Sequence, residues 1–261
     1  MKAFLKTVKE LCFPPRCVGC GERLPITLRQ ATPFFCAACA LKWERCMLAE
    51  CPQCFAPYVE CRCQPRVLRS AGSLSLVKLA PYDSEDPTVL RDVVLSMKLQ
   101  PRARAFSCCA RDLTPGLIKA IAQCAEKGAV SRTVITYLPR TRKRFHDLGF
   151  DQAHELAKHL SRTTGIELVP LLRRVHDGEQ QKTLTLKERQ ENCKGAFALR
   201  ALPKGWCVIL VDDLVTTGAG MAEAVKLLRQ GGAARVLTTA VAVTPKKKRT
   251  RGEAAQFPNI S

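Results

Sequence analysis

The chain has 261 residues, of which 46% are hydrophobic and 25% charged, and it carries a formal net charge of +19. That composition is ordinary for a soluble globular protein and excludes a disordered or fibrous one. The excess of lysine and arginine favours polyanionic partners, namely phosphorylated small molecules, single-stranded nucleic acid or an anionic membrane surface, although general solubility also explains it.

The first segment, MKAFLKTVKELCF, lacks the apolar run of a signal peptide. Lys6, Lys9 and Glu10 interrupt it before it reaches the roughly seven apolar residues that export requires. Nor does any stretch approach the roughly twenty apolar residues of a membrane span. We therefore expect a cytoplasmic protein without stable membrane insertion, in a reducing compartment where clustered cysteines bind metal more often than they form disulfides.

Cysteines are concentrated near the N-terminus, since ten of the 15 lie before residue 64. They include three C-x-x-C pairs and one C-x-C pair. A C-x-x-C turn places two sulfurs on one side of a bend, and two such bends form the four-sulfur cage that zinc prefers. The candidate ligands of one or two structural Zn²⁺ ions are Cys17, Cys20, Cys36, Cys39, Cys51, Cys54, Cys61 and Cys63.

Neighbouring pairs need the least loop closure, so we expect the first four of these cysteines to form one site and the last four a second. An interleaved pairing stays open, and Cys46 or Cys12 could replace a ligand of the second site. Four thiolates leave no open position on the metal, which predicts a structural role. A redox role is the rival, but the apolar strand that precedes a thioredoxin-type motif is absent.

The chain divides into three predicted parts: a cysteine-rich double zinc-ribbon module over 1–66, a second domain over 72–245 and a basic tail over 246–261. Apolar patterns in the second domain predict strands over 73–82, 133–139, 166–175, 206–213 and 234–244. Helical patterns cover 87–98, 103–127 as one or two helices, 151–165 and 218–232. Alternating strands and helices predict an α/β fold with a mainly parallel sheet flanked by helices, whose ligands bind beyond the carboxyl ends of the strands.

The most informative run is VILVDDLVTTGAG at 208–220, where an apolar strand ends in Asp212 and Asp213. Small hydroxyl and glycine residues then lead into a helix whose N-terminus favours anions. Carboxylates would repel a phosphate unless sugar hydroxyls lay between them, so the run fits a ribose 5-phosphate. The candidate phosphate-binding residues are Thr216, Thr217, Gly218, Ala219 and Gly220.

This run resembles the phosphoribosyl pyrophosphate signature of type I phosphoribosyltransferases. The whole chain more narrowly resembles the ComF family, which joins a zinc-ribbon head to such a domain. Where that family usually has arginine and threonine, this chain has Leu148 and Gly220. Further residues that carry the resemblance are Gly149, Phe150, Gln152, Ala153, Gln181, Leu184, Arg189, Asn192, Gly195, Ala196 and Phe197.

The resemblance implies roles for two more segments. The basic run after the strand at 133–139 would be the pyrophosphate loop, with Arg140, Arg142, Lys143 and Arg144 facing the diphosphate, although a solvated basic loop or a nucleic-acid contact fits it as well. The polar segment 176–189 would be the flexible loop that excludes water from the reacting ribose, with Gln181 and Arg189 as contacts. An ordinary surface loop is the alternative.

Two functions follow from the resemblance. One is transfer of a phosphoribosyl group from phosphoribosyl pyrophosphate to a nitrogen acceptor, with Mg²⁺ bridging diphosphate and ribose oxygens. The other is non-catalytic handling of single-stranded DNA during natural transformation, with the pocket as a ligand sensor. The net charge and the tail sequence KKKRTR at 246–251 motivate the second. No residue identifies the acceptor or the oligomeric state.

Overall fold

The structure is a computed structural model. It describes residues 14–24, 33–83, 88–99, 103–126, 128, 130–176, 193–201 and 204–245. The helices are α1 (Ala37–Leu48), α2 (Arg66–Ser70), α3 (Val89–Leu99), α4 (Ala103–Ala125), α5 (Arg142–Leu148), α6 (Gln152–Thr164) and α7 (Ala219–Gln230). The strands are β1 (Ser73–Val77), β2 (Ala80–Pro81), β3 (Arg132–Tyr137), β4 (Leu172–Arg174), β5 (Phe197–Leu199), β6 (Trp206–Val215) and β7 (Arg235–Val243).

The main sheet is parallel in every pairing. Its strand order is β1-β7-β6-β3, and β2 also pairs with β7. β4 and β5 form a separate antiparallel pair. The prediction of a mainly parallel sheet flanked by helices is therefore confirmed. β3 ends beside Val211 of β6, with which Tyr137 pairs, and β6 continues to Val215.

Successive residues of β6 face opposite sides of the sheet, as the pleat requires. Ile209 and Val211 pack into one core with α3, α4 and α6. Val208 and Leu210 pack into a second core with α2 and α7. Both faces are apolar, which explains why the strand reads as a continuous hydrophobic run.

The cysteine-rich segment contributes to both cores. Cys17, Cys39 and Trp43 belong to the core that contains α3, α4 and α6. Cys51 and Cys61 belong to the core that contains α2 and α7. The predicted division at residues 66 and 72 stays a prediction, and the segment between those residues carries α2.

Several elements differ from the sequence expectation. The strand predicted over 73–82 is split into β1 and β2, and within the segment predicted as one or two helices over 103–127, Ala103–Ala125 forms a single helix that contains Pro115. Within the segment predicted over 166–175, only Leu172–Arg174 is a strand, and Leu168 makes one isolated bridge to Ile135. Pro170 explains the interruption because it cannot donate to a ladder. Within the described residues, no helix combines the length and the apolar character needed to cross a membrane.

Candidate functional site

The eight candidate ligands come together as two groups of four. In each group the sulfur atoms all lie within 4.8 Å of one another. The first group joins the two pairs between Cys17 and Cys39, and the second joins the two pairs between Cys51 and Cys63. The grouping thus follows the neighbouring-pair expectation. Cys46 belongs to neither group, and Cys12 lies outside the described residues.

Both groups contain a knuckle with the same backbone pattern. In the first, the N–H of Gly21 donates to the carbonyl of Cys17 at 3.0 Å. In the second, the N–H of Phe55 donates to the carbonyl of Cys51 at 2.8 Å. Both residues have left-handed backbone, with φ of 79° at Gly21 and 60° at Phe55. A short β-bridge closes each knuckle, so the two are structurally equivalent.

The leading cysteine of each knuckle is prepared to act as a thiolate. Burial alone would raise the pKa of Cys17 and of Cys51, but hydrogen bonds from backbone N–H groups outweigh it and lower each pKa to about 7. One of these donors is the N–H of Cys36, 3.3 Å from Cys17 Sγ. Thiolate, not thiol, is the form that binds metal.

The second cysteine pair of the first group lies at the start of a helix and not in a knuckle. Cys36 is the N-cap of α1 and Cys39 lies in its first turn, whereas the sequence had predicted a tight turn at this pair. The helix forms because the segment is rich in alanine and leucine, which favour helix. Cys20 Sγ and Cys36 Sγ are 3.8 Å apart, close to the roughly 3.8 Å edge of a tetrahedron of sulfurs around zinc. The residues present therefore fit a metal ion of this kind.

The acidic pair lies near the carboxyl end of β6, which continues through Leu214 to Val215. Asp212 is half-buried and accepts a hydrogen bond from the N–H of Asp213, 2.9 Å from its Oδ1. Burial raises the pKa of Asp212 well above its ordinary value, and the neighbouring carboxylate of Asp213 raises it further. A carboxylate in such surroundings gains from any group that donates hydrogen bonds to it.

The predicted phosphate-binding run forms the turn between β6 and α7. Gly218 is the N-cap of α7 with φ of 76°, and the hydroxyl of Thr217 accepts from the N–H of Ala219 at 3.3 Å. A side chain at Gly218 would contact Leu68 and Val67, since an added Cβ would lie 3.4 Å from each. Leu214 and Val215, which end β6, separate the acidic pair from exposed Thr216, and the N-terminus of α7 follows this turn.

Arg140 reaches the acidic pair from the neighbouring strand. It follows β3, and its guanidinium donates to Asp213 Oδ2 at 3.1 Å in a mostly buried ion pair. The structure thus brings together one residue of the predicted pyrophosphate loop and one of the predicted ribose-binding acids. Because the two residues are 73 positions apart, only the parallel pairing of β3 with β6 makes them neighbours.

Asp151 is a positioning residue that the sequence analysis did not single out. Its carboxylate accepts from the backbone N–H of Arg140 at 2.9 Å and from that of His154 at 3.2 Å. The second bond caps α6, so one side chain joins the start of this helix to the predicted pyrophosphate loop. Burial raises the pKa of Asp151, against the effect of these donors. An aspartate just before a helical pattern is a capping signal that could have identified it.

The other predicted site residues are less well placed by the structure. Arg142, Lys143 and Arg144 begin the short helix α5 rather than a loop, and the positions of their side chains are not described. α5 ends at Leu148, and the next residue, Gly149, has φ of 73° and donates its N–H to the carbonyl of Phe145. Gln181 and Arg189 lie outside the described residues, as does the tail over 246–261.

Comparison with known proteins identifies one domain and several relatives. Residues 147–257 match the phosphoribosyl transferase domain. The DNA utilization protein YhgH of Salmonella typhi is 28% identical over 229 residues, which are 87% of this chain and 96% of that protein. Competence protein ComFC of Bacillus subtilis is 27% identical over 207 residues, 77% of this chain and 80% of that protein. Competence protein F of Haemophilus influenzae is 39% identical over 88 residues, 32% of this chain and 38% of that protein.

A crystal structure of adenine phosphoribosyltransferase covers 52% of this chain and 78% of its own, with 17% identity and a TM-score of 0.32. That structural likeness is weak. The matched domain and the parallel sheet are sufficient to confirm the predicted phosphoribosyltransferase-like fold.

Proposed function

We propose that this chain, for which the named relatives and the matched domain support the ComF family, binds phosphoribosyl pyrophosphate at the carboxyl edge of its sheet. The observation that carries the proposal is the arrangement of chemical groups along this edge. Two carboxylates, an anion-favouring helix N-terminus and an arginine meet where two parallel strands end. Ligands of open α/β sheets bind at this edge.

Each part of the ligand has a counterpart there. The ribose hydroxyls would donate to Asp212 and Asp213, which replaces an unfavourable carboxylate pair with a hydrogen-bonded one. The 5′-phosphate would accept from the backbone N–H groups at the start of α7 and from the hydroxyl of Thr216. The diphosphate would lie towards Arg140. Mg²⁺, bound mainly by ligand oxygens and water, would offset the diphosphate charge.

Arg140 has a partner in each state of the site. Without ligand, its guanidinium neutralises Asp213. A bound diphosphate would compete for that guanidinium, and the ribose hydroxyls would then satisfy Asp213. This exchange avoids leaving either buried charge without a partner, which would cost several kcal/mol.

The reaction that this site would support is phosphoribosyl transfer to a nitrogen acceptor. The nitrogen lone pair forms a bond to the anomeric carbon while the bond from that carbon to the pyrophosphate oxygen breaks. Pyrophosphate leaves with the bonding electron pair, and the nitrogen loses its proton to solvent. Electrostatic stabilisation of the leaving group supplies the rate enhancement.

Calorimetric titration with phosphoribosyl pyrophosphate and Mg²⁺ tests the binding proposal. We expect the double variant Asp212→Asn/Asp213→Asn to bind at least about tenfold more weakly, since it loses two charge-assisted hydrogen-bond acceptors. Asp92→Asn, which alters an exposed acid of α3, should bind like the wild-type protein. Wild-type protein that binds no ligand, or a double variant with unchanged affinity, would refute the proposal. Pyrophosphate release with a panel of amines and bases tests transfer.

The relatives' names favour a second function, the handling of single-stranded DNA. The named relatives are a DNA utilization protein and competence proteins, and the formal net charge of +19 suits a polyanion. We expect labelled single-stranded DNA to bind with an affinity that falls steeply as salt rises. Repeating the titration with phosphoribosyl pyrophosphate measures whether the two ligands are coupled. Salt-independent or absent binding would exclude this function.

We also propose that both cysteine groups hold structural zinc, in a protein of the cytoplasm. The support is the four-sulfur geometry and the fit of the sulfur separation to a tetrahedral site. Metal analysis of the purified protein by mass spectrometry should give about two Zn²⁺ per chain.

A further inference from the structure

Lys78 is a buried lysine beside the second cysteine group. It lies between β1 and β2, and only 2% of its surface is exposed. The following residue, Leu79, donates its backbone N–H to the carbonyl of Val241 in β7 at 3.0 Å. The sheet therefore holds the lysine in place, although its side chain extends into the cysteine-rich segment.

The ammonium group of Lys78 contacts this cysteine group directly. Nζ lies 3.2 Å from Cys61 Sγ, 3.2 Å from the carbonyl of Cys61 and 2.8 Å from the carbonyl of Cys63. The ring of Tyr58 lies on another side, with its centroid 5.8 Å from Nζ. Within the part of the chain that the structure describes, Lys78 forms no ion pair with a carboxylate.

A buried ammonium with neutral neighbours alone would be costly. Burial of an uncompensated charge costs several kcal/mol, and carbonyl oxygens only partly offset that cost. A divalent metal with four thiolates, by contrast, carries a net charge of about −2. The position of Lys78 is therefore explained if the second cysteine group is anionic, as it is when it holds a metal.

The first cysteine group has a different arrangement. One donor to Cys17 Sγ is the backbone N–H of Cys36, which carries no net charge. Burial does not distinguish the two groups, because each has two buried cysteines and one exposed cysteine, Cys20 in the first and Cys54 in the second. Near the second group, Arg62 adds a further cation that donates to the carbonyls of Cys61 and Gly116 rather than to a sulfur.

We propose that Lys78 is the internal counter-ion of the metal at Cys51, Cys54, Cys61 and Cys63, and that it makes this site release its metal more slowly than the first site does. This inference rests on the zinc assignment proposed above. A partner that hydrogen-bonds a ligand tunes metal affinity by about 10–100-fold in known sites. The sheet would thus stabilise a metal site that lies outside it.

Zinc release to a chelating dye, followed by absorbance, tests the inference. We expect two phases from the wild-type protein, with the slow phase missing in Cys54→Ser and the fast phase missing in Cys20→Ser. Lys78→Gln keeps donors for the carbonyls but removes the charge, so it should speed the slow phase about tenfold or more and leave the fast phase unchanged. Lys78→Met removes both the charge and the donors and should have at least the same effect.

The matched control is Lys226→Gln, which alters a largely exposed lysine of α7 and should change neither phase. An unchanged slow phase in both Lys78 variants would overturn the inference, and so would equal acceleration of both phases, which would indicate a purely structural role. If the Lys78 variants do not fold, the wild-type protein still tests the inference, because Cys54→Ser and Cys20→Ser show which cysteine group gives the slow phase. A slow phase that belongs to the first cysteine group would also overturn the inference. Purified protein that holds no zinc would instead refute the zinc assignment.

Discussion

A buried lysine and a half-buried aspartate lie in opposite kinds of surroundings. Lys78 is surrounded by acceptors, among them the sulfur of Cys61. Asp212 instead lies beside the carboxylate of Asp213, and burial together with this neighbour raises its pKa well above the ordinary value. Lys78 is matched to its environment, whereas Asp212 is not.

This difference separates a structural role from a binding role. A matched buried charge has its partner in the folded protein itself, and loss of that partner destabilises the fold. A mismatched one lowers stability, and such groups concentrate at functional sites because a ligand supplies what the protein does not. The pattern supports a structural role for the second cysteine group and a binding role for the sheet edge.

The two regions are joined by the segment that follows Cys63. Gln64 donates to the carbonyl of Ser73 at 2.9 Å, and Leu68, which is fully buried, lies against Gly218 at the start of α7. A change in this segment should therefore affect the fold and the phosphate-binding turn together.

Leu68→Ala should destabilise the protein strongly. We expect the free energy of unfolding to fall by about 2–5 kcal/mol, because the truncation leaves a cavity in the core. It should also weaken binding of phosphoribosyl pyrophosphate, since the residues that support Gly218 would relax. Denaturant unfolding with zinc present and calorimetric titration measure the two effects.

Leu24→Ala is the matched control for that experiment. Leu24 is 3% exposed and belongs to the core around the first cysteine group. It should lose comparable stability without a change in ligand affinity. Equal affinities for both variants would mean that the phosphate-binding turn does not depend on this segment.

Local features of the fold and site could be predicted from the sequence. The apolar run of β6, its two acids and the small residues that lead into α7 all lie within 208–220, so one segment specifies strand, turn and helix. The cysteine pairs likewise depend on spacing of two or three residues. The helix over 37–48 was missed because the cysteine spacing alone was taken to indicate a turn.

Contacts between residues far apart in the chain could not be predicted from the sequence. Arg140 and Asp213 meet only because β3 and β6 are adjacent, and a single sequence does not give strand order. Lys78 interrupts an apolar strand pattern, which signals something unusual, but nothing nearby indicates that Cys61 is its partner. Asp151 was visible as a helix cap, whereas its bond to the backbone of Arg140 was not.

Asp212→Asn should stabilise the protein while it weakens ligand binding. Because the pKa of Asp212 is raised in the folded state, folding favours the protonated form, and its contribution to stability is lost as pH rises through that pKa. The amide stays neutral, so the variant should be more stable than wild type by about 1–2 kcal/mol at neutral pH.

Unfolding measured between acid and neutral pH should show the stability gain of Asp212→Asn shrink as the pH falls, because the wild-type carboxyl then becomes protonated. Asp213→Asn provides the contrast. It breaks the mostly buried ion pair with Arg140 and should destabilise the protein by about 1–3 kcal/mol. If both variants changed stability in the same direction, the distinction between mismatched and matched charges at this edge would be wrong.

The backbone of the two cysteine knuckles shows the same contrast between a residue that suits its surroundings and one that does not, with a smaller expected effect on stability. Gly21 is matched to its left-handed conformation, whereas Phe55 is not, and the side chain of Phe55 is 75% exposed and so gains little from packing. Gly21→Ala should lower the free energy of unfolding by about 1 kcal/mol, since no atom lies within 4 Å of the added Cβ and only backbone strain acts. Phe55→Gly should raise it by about 0.5–1 kcal/mol, the relieved strain less the entropy of glycine. Denaturant unfolding at saturating zinc should therefore give changes of opposite sign, and a loss of stability in Phe55→Gly would mean that the aromatic side chain packs on the protein in solution.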